Sequence, residues 1–338
     1  MTELIDLVIP MVFPEDKEWQ RDYARTHGAG SATTNVRFRS WQTEELLVRC
    51  CMKYMPWLRR IHILLARESQ VQPWMTKPHP QPLPEGEGSA GQPEIRTVFH
   101  REFIPAEYLP CFTSPCIEMF IGRIPGLSEH FIYANDDMFP LSPLKPEDFF
   151  RQATGRNDDI TEYRNNDNSK LSTLNSQFYL PCQHLYEKPV PAQPNMFQRK
   201  CRNQQNMIGR PFGQQVTTHW LKNGHSHAAI LKSTCDEVWR RHGSEILKHI
   251  SPLERTDHSY SQYIYVLYQH YAGQYIDHAP QHHYAGPKTP TADLAAIIRD
   301  PQAGIVCLND NEKIADWQRR AEIARREITA KLQKGGQP

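Results

Sequence analysis

Long apolar runs are missing from this 338-residue chain, and none approaches the roughly 20 residues that a membrane-spanning helix requires. No transmembrane segment is therefore expected. The N-terminus, MTELIDLVIPMVF, has no basic stretch ahead of its apolar residues and carries Glu3 and Asp6 early, so no secretory signal peptide is expected either. The eight cysteines include no CxxC pair and no spacing suited to zinc. Cys50-Cys51 falls within a helical pattern as small apolar packing, and the compartment expected is the reducing cytoplasm. An excess of one charge is also lacking. Against 38 Asp and Glu stand 39 Lys and Arg, a net charge of +1, which gives no electrostatic case for a nucleic-acid partner. No internal repeat is visible.

What is present fits a soluble globular enzyme: 39% of residues are hydrophobic and 10% aromatic, too many for a disordered chain. The length allows a substantial core. Leu4 to Val12 predicts a buried strand cut by Pro10, and Thr43 to Tyr54 a helix, followed by strands over Ile61 to Leu65 and Ile95 to Phe99. Ile117 to Ile124 reads as helical, as do Leu231 to Leu247 and Tyr260 to Tyr271. Residues 77–93, rich in proline and glycine, predict a flexible surface insertion. Residues 150–223 are polar and proline-interrupted, and predict a loop-rich subdomain over the site, where acceptor recognition is expected. A strand over Gly304 to Leu308 leads into a C-terminal amphipathic helix at 311–334, with Ile314, Trp317, Ala321, Ala324, Ile328 and Leu332 on one face. The expected architecture is one α/β domain over 1–338, Rossmann-like, with a largely parallel sheet flanked by helices.

The densest chemical signal is FIYANDDMF. The apolar run Phe131-Ile132-Tyr133 stops at Asn135-Asp136-Asp137. Two adjacent carboxylates at the end of a buried strand repel each other, and a cation or a ligand carrying one neutralises them. Ligands of open α/β sheets bind beyond the carboxyl ends of the strands, so this reads as a divalent-metal and diphosphate site. A second strand, IVCLND, ends in Asn309-Asp310, and a third, IDLVI, ends near Glu15 and Asp16; carried by parallel neighbours, these acidic ends would converge. Asn309-Asp310 reads equally well as a helix cap. His225 and His227 alternate in NGHSHAA, but no third or fourth zinc ligand is evident. Read alone, His225 is either a general base or an ordinary surface histidine. Arg255 either grips phosphate or pairs with Glu254 or Asp257. His278, His282 and His283 read as a polar loop.

Together these blocks resemble the Stealth family of sugar-phosphate transferases, which includes bacterial capsular polysaccharide phosphotransferases and the animal N-acetylglucosamine phosphotransferase that marks lysosomal enzymes. The resemblance runs in the family's order through IDLVIPMVFPEDKEW at 5–19, RFRSWQTEELLVRCCMKYMPWLRRIHILL at 37–65 with EYLPCFTSPCIEM to ANDDMF at 107–139, GHSHAAILKSTCDEVW with LERTDHSYSQY, and GIVCLNDNE. It implies transfer of a sugar 1-phosphate from a nucleotide sugar, UDP-linked in the family, to a glycan hydroxyl in cell-surface or capsular polysaccharide synthesis, with release of UMP. It further implies magnesium or manganese on Asp136 and Asp137, His225 and Arg255 as catalytic histidine and phosphate-binding arginine beside Asp137, and substrate binding by Arg39, Glu118, Arg123, Asn135, Asn309 and Asp310. Peripheral association with a polysaccharide assembly complex is also expected. Alternatives are a metal-dependent glycosyltransferase moving the sugar alone, or a silent glycan-binding homologue. The chain departs from the family's pattern at Pro10 to Asp16, where a glycine turn is usual, at Gly122, where a histidine is usual, at Arg39-Ser40-Trp41, where Arg-Asp-Asn is usual, and at Ser259, where an acidic residue is usual. It is thus identified as a divergent member.

Overall fold

The computed structural model describes residues 4–28, 35–76, 92–152 and 179–334. Most of the expected insertion at 77–93, and part of the 150–223 stretch, lie outside them.

Strands β1 (Ile5–Pro10), β2 (Arg60–Leu65), β3 (Glu94–Phe99) and β4 (His130–Tyr133) form a parallel sheet in the order β4-β1-β2-β3. The largely apolar sequences of β1, β2 and β4 follow from this, because a parallel sheet is covered on both faces, whereas the edge strand β3 carries Glu94, Arg96 and Thr97. In β1, Ile5, Leu7 and Ile9 face one core, and Val8 the other. Helix α1 (Lys17–His27) follows β1, and α2 (Glu44–Tyr54) precedes β2 and packs Leu47, Val48 and Cys51 into the first core. A short helix α3 (Ser114–Met119) leads toward β4 and contributes to the second core.

Beyond β4 the chain forms β5 (Met138–Pro140) and β6 (Phe150–Gln152). Residues 179–223 hold β7 (Tyr179–Gln183), β8 (Leu185–Pro189), the 14-residue helix α4 (Met196–Gly209) and β9 (His219–Asn223). Asn195 caps α4 in a reciprocal capping box with Gln198, a local signal that fixes its start. Strand β10 (Ala228–Leu231) then joins the main sheet antiparallel to β4 and feeds α5 (Lys232–His249), followed by α6 (Tyr263–Tyr271). After β11 (Ile276–Asp277) comes β12 (His282–Tyr284), then helix α7 (Leu294–Arg299), β13 (Ile305–Cys307) and α8 (Trp317–Gln333).

Strand β13 does not join the main sheet. It pairs parallel to β12 and antiparallel to β5, in a separate sheet. The expected convergence of parallel neighbours is therefore corrected: the Asn-Asp ends of β4 and β13 meet because the chain turns after Asp137 into β5, and β13 runs back along it. Asp16 does not join them. Its carboxylate caps α1, accepting from the Trp19 N–H at 2.6 Å.

Asp6 is a buried charge in β1. It accepts hydrogen bonds from Arg59 Nε at 2.8 Å and the Ser128 N–H at 2.9 Å, and lies 3.0 Å from His62 Nε2. Burial opposes ionisation, but these partners outweigh it and hold the carboxyl far below its usual range. Among the described residues no helix is long and apolar enough to cross a membrane.

Candidate functional site

The carboxyl ends of all four parallel strands open into a cleft of about 660 Å³. It is lined by Met11 and Val12 after β1, Ala66 after β2, His100 after β3 and Asn135–Asp137 after β4. This is where an open α/β sheet leaves space, since the loops leaving its strands diverge there.

Two antiparallel pairings deliver the remaining groups. Ala228 lies opposite Tyr133 in the β10–β4 register, and extending that register outward brings His225 level with Asp136. On the other side Cys307 lies opposite Met138, and the Leu308 N–H donates to the Asp137 carbonyl at 2.7 Å. As a result Asp137 Oδ2 is surrounded. It accepts from Cys307 Sγ and Asn309 Nδ2, both at 3.3 Å, and stands 3.6 Å from His225 Nε2. The other imidazole nitrogen, Nδ1, lies 3.3 Å from the Tyr263 hydroxyl.

The two carboxyls titrate apart. Burial works to raise Asp137, but the His225 imidazole and the Cys307 and Asn309 donors hold it low. Asp136 has no such partners. Although its side chain opens into the cleft, desolvation, then the charges of Asp137 and Glu44, push it to about 7. His225 is lowered by burial and raised by Asp137, and the second effect prevails.

These residues fit a divalent cation. Asp137 Oδ1 is buried with no hydrogen-bond partner, and the neighbouring Asp136 carries a charge its surroundings resist. Among the described residues, ligand atoms of Asp137, His225 and Cys307 lie within 4.8 Å of one another. Burial, then Asp137, pushes the Cys307 thiol well above its usual range, and a soft sulfur ligand suits neither magnesium nor manganese. The carboxylates of Asp136 and Asp137 remain beside the His225 imidazole, and hard oxygen ligands of this kind suit magnesium or manganese better than zinc.

The other sequence candidates separate into cleft, support and outside. Arg255 lines the cleft and donates to Ser114 Oγ at 2.9 Å. It does not pair with Asp257, which binds Arg199 and His258. Desolvation, then the charge of Arg37, lowers its pKa. Arg39 also borders the cleft, but its fork is closed on the Asp310 carboxylate, with Nε to Oδ2 at 2.7 Å. Asp310 further accepts from Trp41 Nε1 at 3.0 Å, and it caps no helix because α8 begins at Trp317, with Asp316 at its cap position. Glu118 lies beneath the floor, 5% exposed, accepting from the Gln262 N–H and contacting the Tyr133 hydroxyl, which also reaches Asn135 Oδ1 at 3.0 Å. Arg123 does not border the cleft; its guanidinium lies over the rings of Phe120 and Trp239.

The sequence candidates omit four kinds of residue. Arg37 lines the cleft, and its only signal was its place in the RFR triplet. Glu44 adds a third carboxylate from the start of α2. Tyr263 supports His225. Trp19, Tyr23, Phe38 and Phe112 form an aromatic wall, with Trp19 and Phe38 edge to face at 4.8 Å. Such rings read from sequence only as core.

Residues 37–158 match the model of the Stealth protein conserved region 2. The chain is 25% identical to the receptor polysaccharide phosphotransferase WefC of Streptococcus gordonii, over 94% of this chain and 93% of that protein. It is 26% identical to the capsular polysaccharide phosphotransferase cps1A of Actinobacillus pleuropneumoniae, over 85% of this chain and 71% of the relative. A second protein of that organism, the capsular polysaccharide phosphotransferase cps12A, is 36% identical over 45% of this chain and 38% of its own length. Among solved structures, galactosyltransferase LgtC in complex with donor and acceptor sugar analogues aligns over 97% of this chain and 95% of that one, at 12% identity and a TM-score of 0.42.

Proposed function

From the premise that this chain belongs to the Stealth family, as a divergent relative of polysaccharide phosphotransferases, we propose that it moves a sugar 1-phosphate from a nucleotide sugar to a glycan hydroxyl. The observation that carries the reading is the environment of Asp137. One carboxylate oxygen gathers Asn309, Cys307 and His225, its other oxygen is buried and unpartnered, and Asp136 stands beside it.

Asp136 and Asp137 would hold a divalent cation, which when bound would supply positive charge to the diphosphate. Arg255 and Arg37 add their guanidinium charges within the same cleft, where phosphoryl transfer depends on positioning and neutralisation more than on covalent help. The acceptor oxygen forms a bond to the sugar-bearing phosphorus, the bridging P–O bond of the diphosphate breaks, and the nucleoside monophosphate leaves with that oxygen. His225 Nε2 takes the hydroxyl proton, and Tyr263 fixes the ring at Nδ1. Asn309 orients Asp137, while the Arg39–Asp310 pair holds the wall around them. The aromatic wall of Trp19, Tyr23, Phe38 and Phe112 offers stacking surface for the nucleobase.

Purified protein incubated with a panel of UDP-sugars, magnesium and an oligosaccharide acceptor tests the reading. Release of UMP with a phosphodiester-linked product is the expected outcome. Release of UDP would mean that the sugar moves alone, and would overturn it. His225→Ala and Asp137→Ala should each lower turnover by about 10²–10⁴-fold with the circular dichroism spectrum unchanged.

A further inference from the structure

Tyr284, at the end of β12, does not line the cleft but stands at the shoulder of His225. The two ring centroids are 5.9 Å apart and nearly perpendicular. Tyr284 is 51% exposed, high for so large a ring, yet it is held in place. Its hydroxyl donates to Asn309 Oδ1 at 2.9 Å, and the same amide donates through Nδ2 to Asp137 Oδ2. One asparagine thus ties the tyrosine to the carboxylate beside His225. The ring also lies against residue 286, where only glycine leaves room: a Cβ there would stand 2.3 Å from Tyr284 Cε1. The Gly286 carbonyl in turn accepts from Arg320, a guanidinium only 2% exposed that also donates to the Thr289 carbonyl at 2.6 Å. A second exposed ring, Tyr186, reaches the other neighbour of His225, for a Cβ on Gly224 would lie 3.5 Å from Tyr186 Cε2.

A fixed aromatic face left open to solvent, beside a base that must receive a hydroxyl, calls for a ligand with an apolar face and a polar edge. A pyranose has both: one face presents C–H groups and its rim presents hydroxyls. Charge separates this ligand from the donor. The guanidiniums of Arg37 and Arg255 line the cleft, whereas Tyr284 meets Asn309 and His225, and His282 and Tyr186 stand against Gly224 next to His225, with Lys188 Nζ 5.9 Å from the Tyr186 ring. We propose that Tyr284, flanked by Tyr186, is the stacking platform of the acceptor subsite, which takes a neutral pyranose of the glycan and turns its hydroxyl toward His225. This rests on the reading of His225 as the group that receives the acceptor proton.

The test uses saturation-transfer-difference NMR on the full chain with magnesium and UMP, with methyl β-D-galactopyranoside and methyl β-D-glucopyranoside as probes. Ring C–H signals should appear with the unaltered protein, persist in Tyr284→Trp, and fall about five-fold in Tyr284→Ala, the size of effect expected from one lost ring contact. Gly286→Ala should reproduce the loss by displacing the ring. UMP binding, measured by calorimetry, should be unchanged in all three, which also shows that they are folded. Pyranoside signals that are absent from the unaltered protein, or unmoved in a Tyr284→Ala variant that still binds UMP, would overturn the subsite. Loss of the transfer reading is a separate result: if UDP is the product while the pyranoside signals still depend on Tyr284, the platform stands and the phosphoryl chemistry does not.

Discussion

At the scale of single residues, charge neutralisation separates two arginines that look alike in sequence. Arg37 and Arg39 are two positions apart and both border the cleft, but Arg39 is closed on Asp310 and Arg37 makes no ion pair among the described residues. Arg37→Ala should raise the KM for the donor with little change in stability. Arg39→Ala should lower stability, and with Asp310→Ala it should show a coupling of about 0.5–3 kcal/mol in a double-mutant cycle read by urea unfolding. Asp6 follows a different rule. Its folded-state pKa lies below the unfolded value near 3.9, so its contribution is present above that value and lost as pH falls through the folded one. Asp6→Asn should cost about 3–5 kcal/mol at pH 7, since it leaves Arg59 partly buried without its partner. The deficit relative to the unaltered protein should begin to shrink below roughly pH 4, where the unfolded chain takes up a proton on Asp6, and go on shrinking toward the much lower folded-state pKa. Unfolding midpoints at pH 7 and pH 3 check the sign. The switch from an apolar run to Asn-Asp-Asp singled out Asp136 and Asp137, whereas His225 and Arg255 were left open by their own surroundings and entered through the family resemblance; all four line the cleft. The sequence could not separate Arg37 from Arg39, since which of two nearby cations meets a carboxylate 271 residues away depends on tertiary structure.

At the scale of elements, hydrophobic period and turn chemistry reported the parallel strands and the helices α2, α5 and α6 to within a few residues at their ends. They missed α1, and also the 14-residue α4 within the stretch expected to be loop-rich, and began α8 six residues early. The run of Ile5 to Pro10 and the apolar face of Glu44 to Tyr54 are self-contained signals. The placement of β13 was not legible. Three apolar residues pair as readily with a parallel neighbour as with an antiparallel one, and only the turn after Asp137 decides between them. Helix packing also accounts for one departure from the family pattern. A Cβ on Gly122 would stand 2.6 Å from Cys235 Cβ in α5, so a histidine there has no space. Gly122→His should destabilise the chain by about 1–3 kcal/mol through overpacking, and adding Cys235→Gly should recover part of it. Thermal unfolding of the single and double variants measures the difference.

At the scale of the whole molecule, a ligand that binds the cleft touches the ends of four strands, α2, the loop before β10 and the segment after β13 at once. Such a ligand stabilises the folded chain as a unit, by about 2.7 kcal/mol at a hundred times its Kd. UMP with magnesium should therefore raise the Tm, chelation by EDTA should reverse the rise, and Asp137→Ala should abolish it. Differential scanning calorimetry with and without EDTA decides this. If UMP raised the Tm equally in Asp137→Ala, the metal would have no part in holding the nucleotide.

The Arg39–Asp310 pair also carries a temporal meaning. A ribosome delivers Asp310 271 residues after Arg39, so this wall of the cleft waits for its partner through that whole stretch of synthesis. Asn309, which steadies Asp137, arrives in the same late segment. The four parallel strands are all made by Tyr133, so a nascent chain can pair them well before Asn309 arrives to steady Asp137.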